Sequence, residues 1–237
     1  MSAKTGSRHA GPPTAARPAP ATRARPLPAP CDPGRTRVAV AALKRQPRFA
    51  ACAAQVAGHL AVLPGTDLLG YQTPTEMTAE EVPAVLGADA EVLFAAGHSY
   101  DSRGIDNLSP DSFVGTELAS VAGPLRAPVL VAFTCFGSSR RFRAALAALR
   151  PADLPPLTLL ACDDNAPYDH ESLFAPLIEA LLTDGQPARP WPARLRAALA
   201  TTLTSGDVPN RQWDRWDVYT VPGTAPARPR PIPHQEP

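Results

Sequence analysis

Two side chains that could act as a nucleophile and its base each follow an apolar run of the chain. His98 comes shortly after the run 91–96, and Cys135 comes shortly after the run 128–133. A cysteine thiolate attacks carbonyl carbons, and a histidine can assist its formation and then protonate the leaving group. If both runs are buried parallel strands, their carboxyl ends lie at one edge of a sheet. The pattern therefore predicts a Cys135/His98 dyad.

Acidic side chains occur near the same predicted edge. Asp163 and Asp164 follow the apolar run 157–162, and Asp101 lies three residues after His98. A carboxylate beside the dyad could bind a basic substrate side chain, so we assign these three aspartates to a substrate pocket. The aspartates between 101 and 111 do not match the ligand spacing of an EF-hand, and the four cysteines form no metal-binding pair. The sequence predicts no metal site.

Each of these residues also has an interpretation without chemistry. An isolated cysteine is usually a small buried hydrophobe, and an isolated histidine usually belongs to a loop surface. The pairing of Cys135 with His98 at two strand ends is what favours catalysis. Cys162 with His170 is a rival dyad, but Cys162 lies inside an apolar run and is better explained as core. A third interpretation is a flavodoxin-like domain that binds a small ligand at Asp163 and Asp164.

Alternating strands and helices must position these residues. Short apolar runs predict strands at 37–43, 91–96, 128–133, 157–162 and 216–221. Helical spacing and capping residues predict helices at 49–62, 82–86, 116–121, 138–149, 172–182 and 192–203. Nearly all-apolar strands are typical of a parallel sheet covered on both faces. The predicted fold is a three-layer α/β/α sandwich with a mostly parallel sheet.

The helix that follows Cys135 has a clear apolar stripe. Phe142, Leu146 and Leu149 recur at helical spacing and predict its buried face. Its solvent face is predicted to carry the arginines Arg140, Arg141, Arg143 and Arg150.

Composition bounds the domain organisation and the function class. The 237 residues include 30 prolines, which cluster at the ends and predict disordered tails at 1–34 and 222–237 around one domain at 35–221. A net charge of +1 gives no electrostatic case for nucleic-acid binding. Glycine-rich phosphate-binding motifs are absent from the sequence. The chain has neither a secretory signal nor an apolar run of membrane-spanning length, so we expect a cytoplasmic protein without membrane contact.

Two segments resemble the catalytic strands of caspase-like (clan CD) cysteine peptidases. VLFAAGHS (Val92–Ser99) is similar to the strand that delivers their histidine, and PVLVAFTCFGSS (Pro128–Ser139) to the strand that delivers their cysteine. The resemblance is closest to bacterial CHAT domains, in which a helix, a strand and a further helix follow the cysteine. It spans about 37–182. It implies a cysteine endopeptidase that hydrolyses protein or peptide substrates through a thioester and uses no cofactor.

The resemblance also implies an oxyanion hole, and here the sequence departs from the family. Relatives use the backbone N–H groups of the cysteine and of a glycine directly after the histidine. In this chain Ser99 follows His98, Gly97 precedes it, and Gly137 stands two residues after Cys135; we assign these three residues to oxyanion support. Phe133 stands where relatives that cleave after Arg or Lys often carry aspartate. These departures favour an alternative, a catalytically inactive caspase-like scaffold that binds protein partners.

Regulation is expected to come from another protein. Caspase-like relatives are commonly attached to sensor or repeat modules, and a chain of 237 residues is too short to carry one beside its catalytic domain. We therefore expect a separate sensor or activator protein.

Overall fold

Apolar strands and amphipathic helices alternate along the described part of the chain. The computed structural model describes residues 35–42, 47–72, 87–97, 124–164, 172–184, 188–204 and 215–224. Its strands are β1 (Thr36–Ala42), β2 (Thr66–Gln72), β3 (Val92–Ala96), β4 (Val129–Phe133), β5 (Leu157–Cys162) and β6 (Trp216–Val221). Its helices are α1 (Pro47–Ala61), α2 (Arg140–Leu149), α3 (Phe174–Thr183) and α4 (Trp191–Thr204).

The six strands form one sheet in the order β2-β1-β3-β4-β5-β6. Strands β1 to β5 run parallel, and β6 pairs antiparallel with β5. The order of the first five strands is that of a doubly wound sheet, whose loops gather at the carboxyl ends of the strands. The predicted mostly parallel α/β fold is confirmed.

Helices cover both faces of this sheet because the strands are apolar on both sides. Val92 and Phe94 of β3 belong to a core that includes residues of α1, α3 and α4. Leu93 and Ala95 of the same strand belong to a second core that includes residues of α2. The three predicted layers are therefore present. None of the described helices combines the length and hydropathy that crossing a bilayer requires.

Strand β2 was not predicted from the sequence. It reads TDLLGYQ, and its polar and glycine residues interrupt the apolar pattern. It lies at the edge of the sheet, where one neighbouring strand, β1, supplies its pairing among the described residues. An edge strand can remain partly solvated and so does not require a continuous apolar run. The helices predicted at 82–86 and 116–121 lie outside the described residues.

One prediction for α2 is wrong. Phe142 and Leu146 are buried as expected, but Arg150, predicted on the solvent face, is 1% exposed. Arg150 is the C-cap of α2 and has extended backbone angles, φ −81° and ψ 120°. The helix ends at Leu149, so the helical periodicity that predicted an exposed side chain does not extend to Arg150.

Both predicted tails lie mainly outside the described residues. The described chain reaches Thr224, whose N–H donates to the Ala147 carbonyl at 2.8 Å. Gly223 packs so closely that a Cβ there would lie 2.4 Å from the carbonyl oxygen of Pro151. The chain is thus held to the domain for three residues after β6.

Candidate active site

Cys135 lies in a tight turn between the end of β4 and the start of α2, and it is partly exposed. The turn begins where the Thr134 N–H donates to the Ala132 carbonyl at 3.1 Å, and it closes where the Ser139 N–H donates to the Phe136 carbonyl at 3.0 Å. The Ser139 hydroxyl oxygen then accepts from the Phe142 N–H at 3.2 Å and caps α2. The sequence FTCFGSS therefore places the cysteine at the carboxyl edge of the sheet.

The residue after the cysteine has unusual backbone angles. Phe136 has φ 50°, the one positive φ of a non-glycine residue within the described ranges. Such a conformation costs about 1–3 kcal/mol and persists where neighbouring contacts enforce it. Two hydrogen bonds, one to the end of β5 and one to the segment after it, do so here: the Ser138 N–H donates to the Cys162 carbonyl at 3.0 Å, and the Phe136 N–H donates to the Asp164 carbonyl at 2.8 Å.

Gly137 is required by close packing in this turn. A Cβ at this position would lie 2.9 Å from the Cβ of Ala161 and 3.0 Å from the Cγ2 of Thr134. Both distances are shorter than ordinary carbon contacts. Gly137 therefore lets the turn lie directly against β5.

The end of β3 is joined to the strand that carries the cysteine. Ala96 pairs with Phe133, and the buried Gly97 donates its N–H to the Phe133 carbonyl at 3.1 Å. Because an amide has one hydrogen, the Gly97 N–H is engaged in this strand pairing. The predicted residues His98, Ser99 and Asp101 lie outside the described residues.

Phe133, two residues before Cys135, belongs to the core. Its ring is 4.8 Å from the ring of Phe174 and 5.7 Å from the ring of Phe49, measured between centroids. The side chain is 1% exposed. This position therefore contributes packing beneath the turn.

The two aspartates after β5 differ in environment, and Asp164 is joined to the cysteine turn through its backbone carbonyl. Asp163 is exposed, and its N–H donates to the Arg215 carbonyl at 2.9 Å. The Asp164 carboxylate accepts a hydrogen bond from Nη1 of Arg215 at 2.6 Å. Arg215 was missed in the sequence because its partner lies 51 positions away. Its positive charge compensates Asp164.

Cys162 is a second thiol near the turn. Its pKa is raised to about 11, chiefly by burial; a hydrogen bond from the Asp164 backbone lowers it, and the nearby charges of Asp163, Cys135 and Asp164 raise it by smaller amounts. The side chain is fully buried, which confirms its predicted place in the core. Its predicted rival partner, His170, lies outside the described residues. Among the described residues, no group of three or more His, Cys, Asp and Glu side chains could hold a metal ion.

Comparisons with known proteins give a distant structural similarity. No protein-family model and no curated protein matches this chain. The fold is similar to the crystal structure of the Arg-specific cysteine proteinase gingipain R, with 13% identity and a TM-score of 0.48. The similarity covers 79% of this chain and 46% of the proteinase chain, so this chain spans less than half of that protein. Similarity at this level does not establish a shared activity.

Proposed function

We propose that this chain is a caspase-like cysteine peptidase in which Cys135 is the nucleophile and His98 its base. The observation that carries the proposal is the partly exposed Cys135 at the carboxyl end of β4, in register with β3. Every β3–β4 pair joins residues 37 positions apart, which is also the separation of His98 and Cys135 in the sequence. The strand pairing thus favours the approach of these two side chains.

The reaction proceeds in two stages. The Cys135 thiolate adds to a peptide carbonyl carbon, and His98 gives its proton to the departing amine as the thioester forms. Water, deprotonated by His98, then attacks the thioester and releases the acid and the thiol. Backbone N–H groups near the turn would stabilise the oxyanion, a contribution of about 3–4 kcal/mol per donor in other enzymes. This chemistry needs no cofactor.

The order of elements supports the finer assignment to the CHAT branch. In that branch a helix, a strand and a helix follow the nucleophile, and here α2, β5 and α3 follow Cys135. For the substrate pocket, Asp163 is the better candidate of the two described aspartates because Arg215 already compensates Asp164. We therefore propose that the substrates are proteins or peptides and that Asp163 is the acidic residue that contacts them.

Two observations favour the alternative of an inactive scaffold that binds protein partners. The Gly97 N–H, on the histidine side of the site, is engaged with the Phe133 carbonyl and cannot serve an oxyanion at the same time. Ser99 also stands where the family has glycine. The two functions differ in whether Cys135 reacts with a substrate-like electrophile.

The test is labelling by a library of peptidyl acyloxymethyl ketones, which alkylate catalytic cysteines. We expect wild-type protein to be labelled at Cys135, Cys135→Ala to be unlabelled, and His98→Ala to be labelled about 10²-fold to 10⁴-fold more slowly. The peptide residue that gives the fastest labelling would identify the side chain that the substrate pocket prefers.

Matched controls use residues away from the turn. Cys52→Ala removes a buried thiol from α1, and His59→Gln removes a histidine that pairs with Glu179 at 2.7 Å. Both variants should be labelled like the wild type. The labelling is repeated in a lysate of the cells that make this protein, so that any activator protein is present. Equal, weak labelling of wild type, Cys135→Ala and His98→Ala under both conditions would refute the peptidase and favour the inactive scaffold.

A further inference from the structure

The turn that carries Cys135 is connected to the start of β6 through one ion pair. Nη1 of Arg215 donates to Oδ2 of Asp164 at 2.6 Å, and the Arg215 carbonyl accepts from the Asp163 N–H at 2.9 Å. Arg215 thus holds the segment after β5 by both its side chain and its backbone. The β5–β6 pairing ends directly beside it, with Cys162 opposite Trp216.

The same segment holds the backbone after the cysteine. The Asp164 carbonyl accepts from the Phe136 N–H at 2.8 Å, and Phe136 has the left-handed backbone described above. A residue in that conformation relaxes unless its hydrogen bonds restrain it. These contacts form a series: Arg215 binds Asp164, Asp164 binds Phe136, and Phe136 is the sequence neighbour of Cys135.

We infer that Arg215 is a positioning residue that fixes the direction of the Cys135 side chain through Asp164 and Phe136. The consequence for catalysis rests on the proposed function, because it requires Cys135 to be the nucleophile. The effect on the hydrogen bond from the Phe136 N–H to the Asp164 carbonyl does not depend on the proposed function. The pair is about two-fifths exposed on both sides, and such surface pairs contribute little to global stability. Its loss should therefore change the turn without unfolding the protein.

Two measurements on the full-length chain test this inference with Arg215→Gln and Asp164→Asn. Amide hydrogen exchange followed by NMR should show the Phe136 amide exchanging about three- to tenfold faster in both variants, while core amides of β4 keep their wild-type protection. For labelling by the preferred peptidyl acyloxymethyl ketone, the maximal inactivation rate should fall by about the same factor while the probe concentration at half-maximal rate stays within about twofold.

Two further variants separate positioning from a general loss of charge. Arg215→Lys keeps the cation and should recover most of the inactivation rate. Arg189→Gln removes a different surface arginine, 3.5 Å from Asp184, and should behave as wild type in both measurements.

The outcomes distinguish this inference from the proposed function. Wild-type exchange at Phe136 in Arg215→Gln and Asp164→Asn would overturn the inference, whatever the labelling shows. Faster exchange with an unchanged maximal inactivation rate would overturn the positioning role. If the wild-type protein is never labelled at Cys135, the proposed function fails, and the exchange of Phe136 still decides whether Arg215 holds the turn.

Discussion

Cys135 and Cys162 lie at the ends of neighbouring strands and differ in their access to water. Cys135 is partly exposed in its turn, whereas Cys162 is fully buried in the core. Burial disfavours the charged thiolate, which is why the pKa of Cys162 is raised to about 11. The two thiols should therefore differ in reactivity although they are close in the fold.

We predict that iodoacetamide modifies Cys135 well before Cys162 in the native protein at pH 7.5. A raised pKa means that Cys162 keeps its proton until the pH approaches 11, so its thiolate fraction at pH 7.5 is below about one thousandth. Its modification should accelerate as the pH rises from 9 toward 11. Peptide mapping by mass spectrometry measures both rates, and the difference should vanish in denaturing urea. Equal native rates at pH 7.5 would contradict the prediction.

Some of these residues could be predicted because the sequence patterns that indicate them are local. Cys162 could be predicted as core because it ends the run LTLLAC, which forms β5. The ion pair of Arg215 with Asp164 could not, because it depends on the antiparallel register of β5 and β6. The left-handed backbone of Phe136 was also missed, since a bulky residue gives no sign of it. Glycine would have given that signal.

At the scale of elements, the cysteine turn depends on its contact with β5. Gly137 lies where a Cβ would come within 2.9 Å of Ala161, a residue inside that strand. Strand β5 is paired on both sides, to β4 and to β6, so it has little freedom to move away. Any side chain at Gly137 should therefore displace the turn.

We predict that Gly137→Ala lowers the labelling rate of Cys135 by about tenfold or more and destabilises the fold by about 1–3 kcal/mol. The rate falls because the turn must shift and carry the cysteine with it. Labelling kinetics and urea unfolding measure the two effects.

Gly58→Ala is the matched control for this change. Gly58 lies within α1, and nothing comes within 4 Å of a Cβ placed there. Alanine should therefore stabilise this helix by up to about 1 kcal/mol without affecting Cys135. If Gly137→Ala behaves like Gly58→Ala, the close contact with β5 does not restrain the turn.

Among the elements, those predicted best were strands with apolar residues on both faces. β5 and β6 have the predicted bounds, and β3 and β4 each begin one residue later than predicted. The edge strand β2 was missed because its hydrophobic pattern is short and interrupted by Asp67 and Gly70. The location of the cysteine turn followed from the prediction of β4 alone.

At the scale of the whole molecule, a buried arginine connects segments at the amino ends of the parallel strands. Cys135 lies at their opposite, carboxyl ends. Arg150 donates from Nη1 to the carbonyls of Leu125, Arg126 and Ala127 at 3.2, 2.8 and 2.7 Å. Its Nε and Nη2 both donate to the Pro155 carbonyl, at 3.0 and 2.7 Å. These carbonyls belong to the segments that enter β4 and β5. Arg150 therefore joins the end of α2 to the starts of two central strands.

The buried guanidinium is stabilised by carbonyl dipoles. Burial lowers the pKa of Arg150 by disfavouring its charge, but arginine keeps its proton throughout the accessible pH range. Its five hydrogen bonds offset part of the cost of removing the charge from water. A shorter or apolar side chain would leave the carbonyls of the buried residues Leu125 and Ala127 without these donors.

We predict that Arg150→Met lowers the free energy of unfolding by about 3–5 kcal/mol, because it removes five hydrogen bonds and leaves buried carbonyl oxygens without donors. Arg150→Lys should lose nearly as much, since an ammonium group cannot reach carbonyls on two sides of a planar fork. Urea unfolding followed by circular dichroism measures both. Arg140→Met, at the exposed start of the same helix, should change stability by no more than about 0.5 kcal/mol. If Arg150→Met were as stable as Arg140→Met, packing alone would hold the starts of β4 and β5, and the arginine would not be needed to join them.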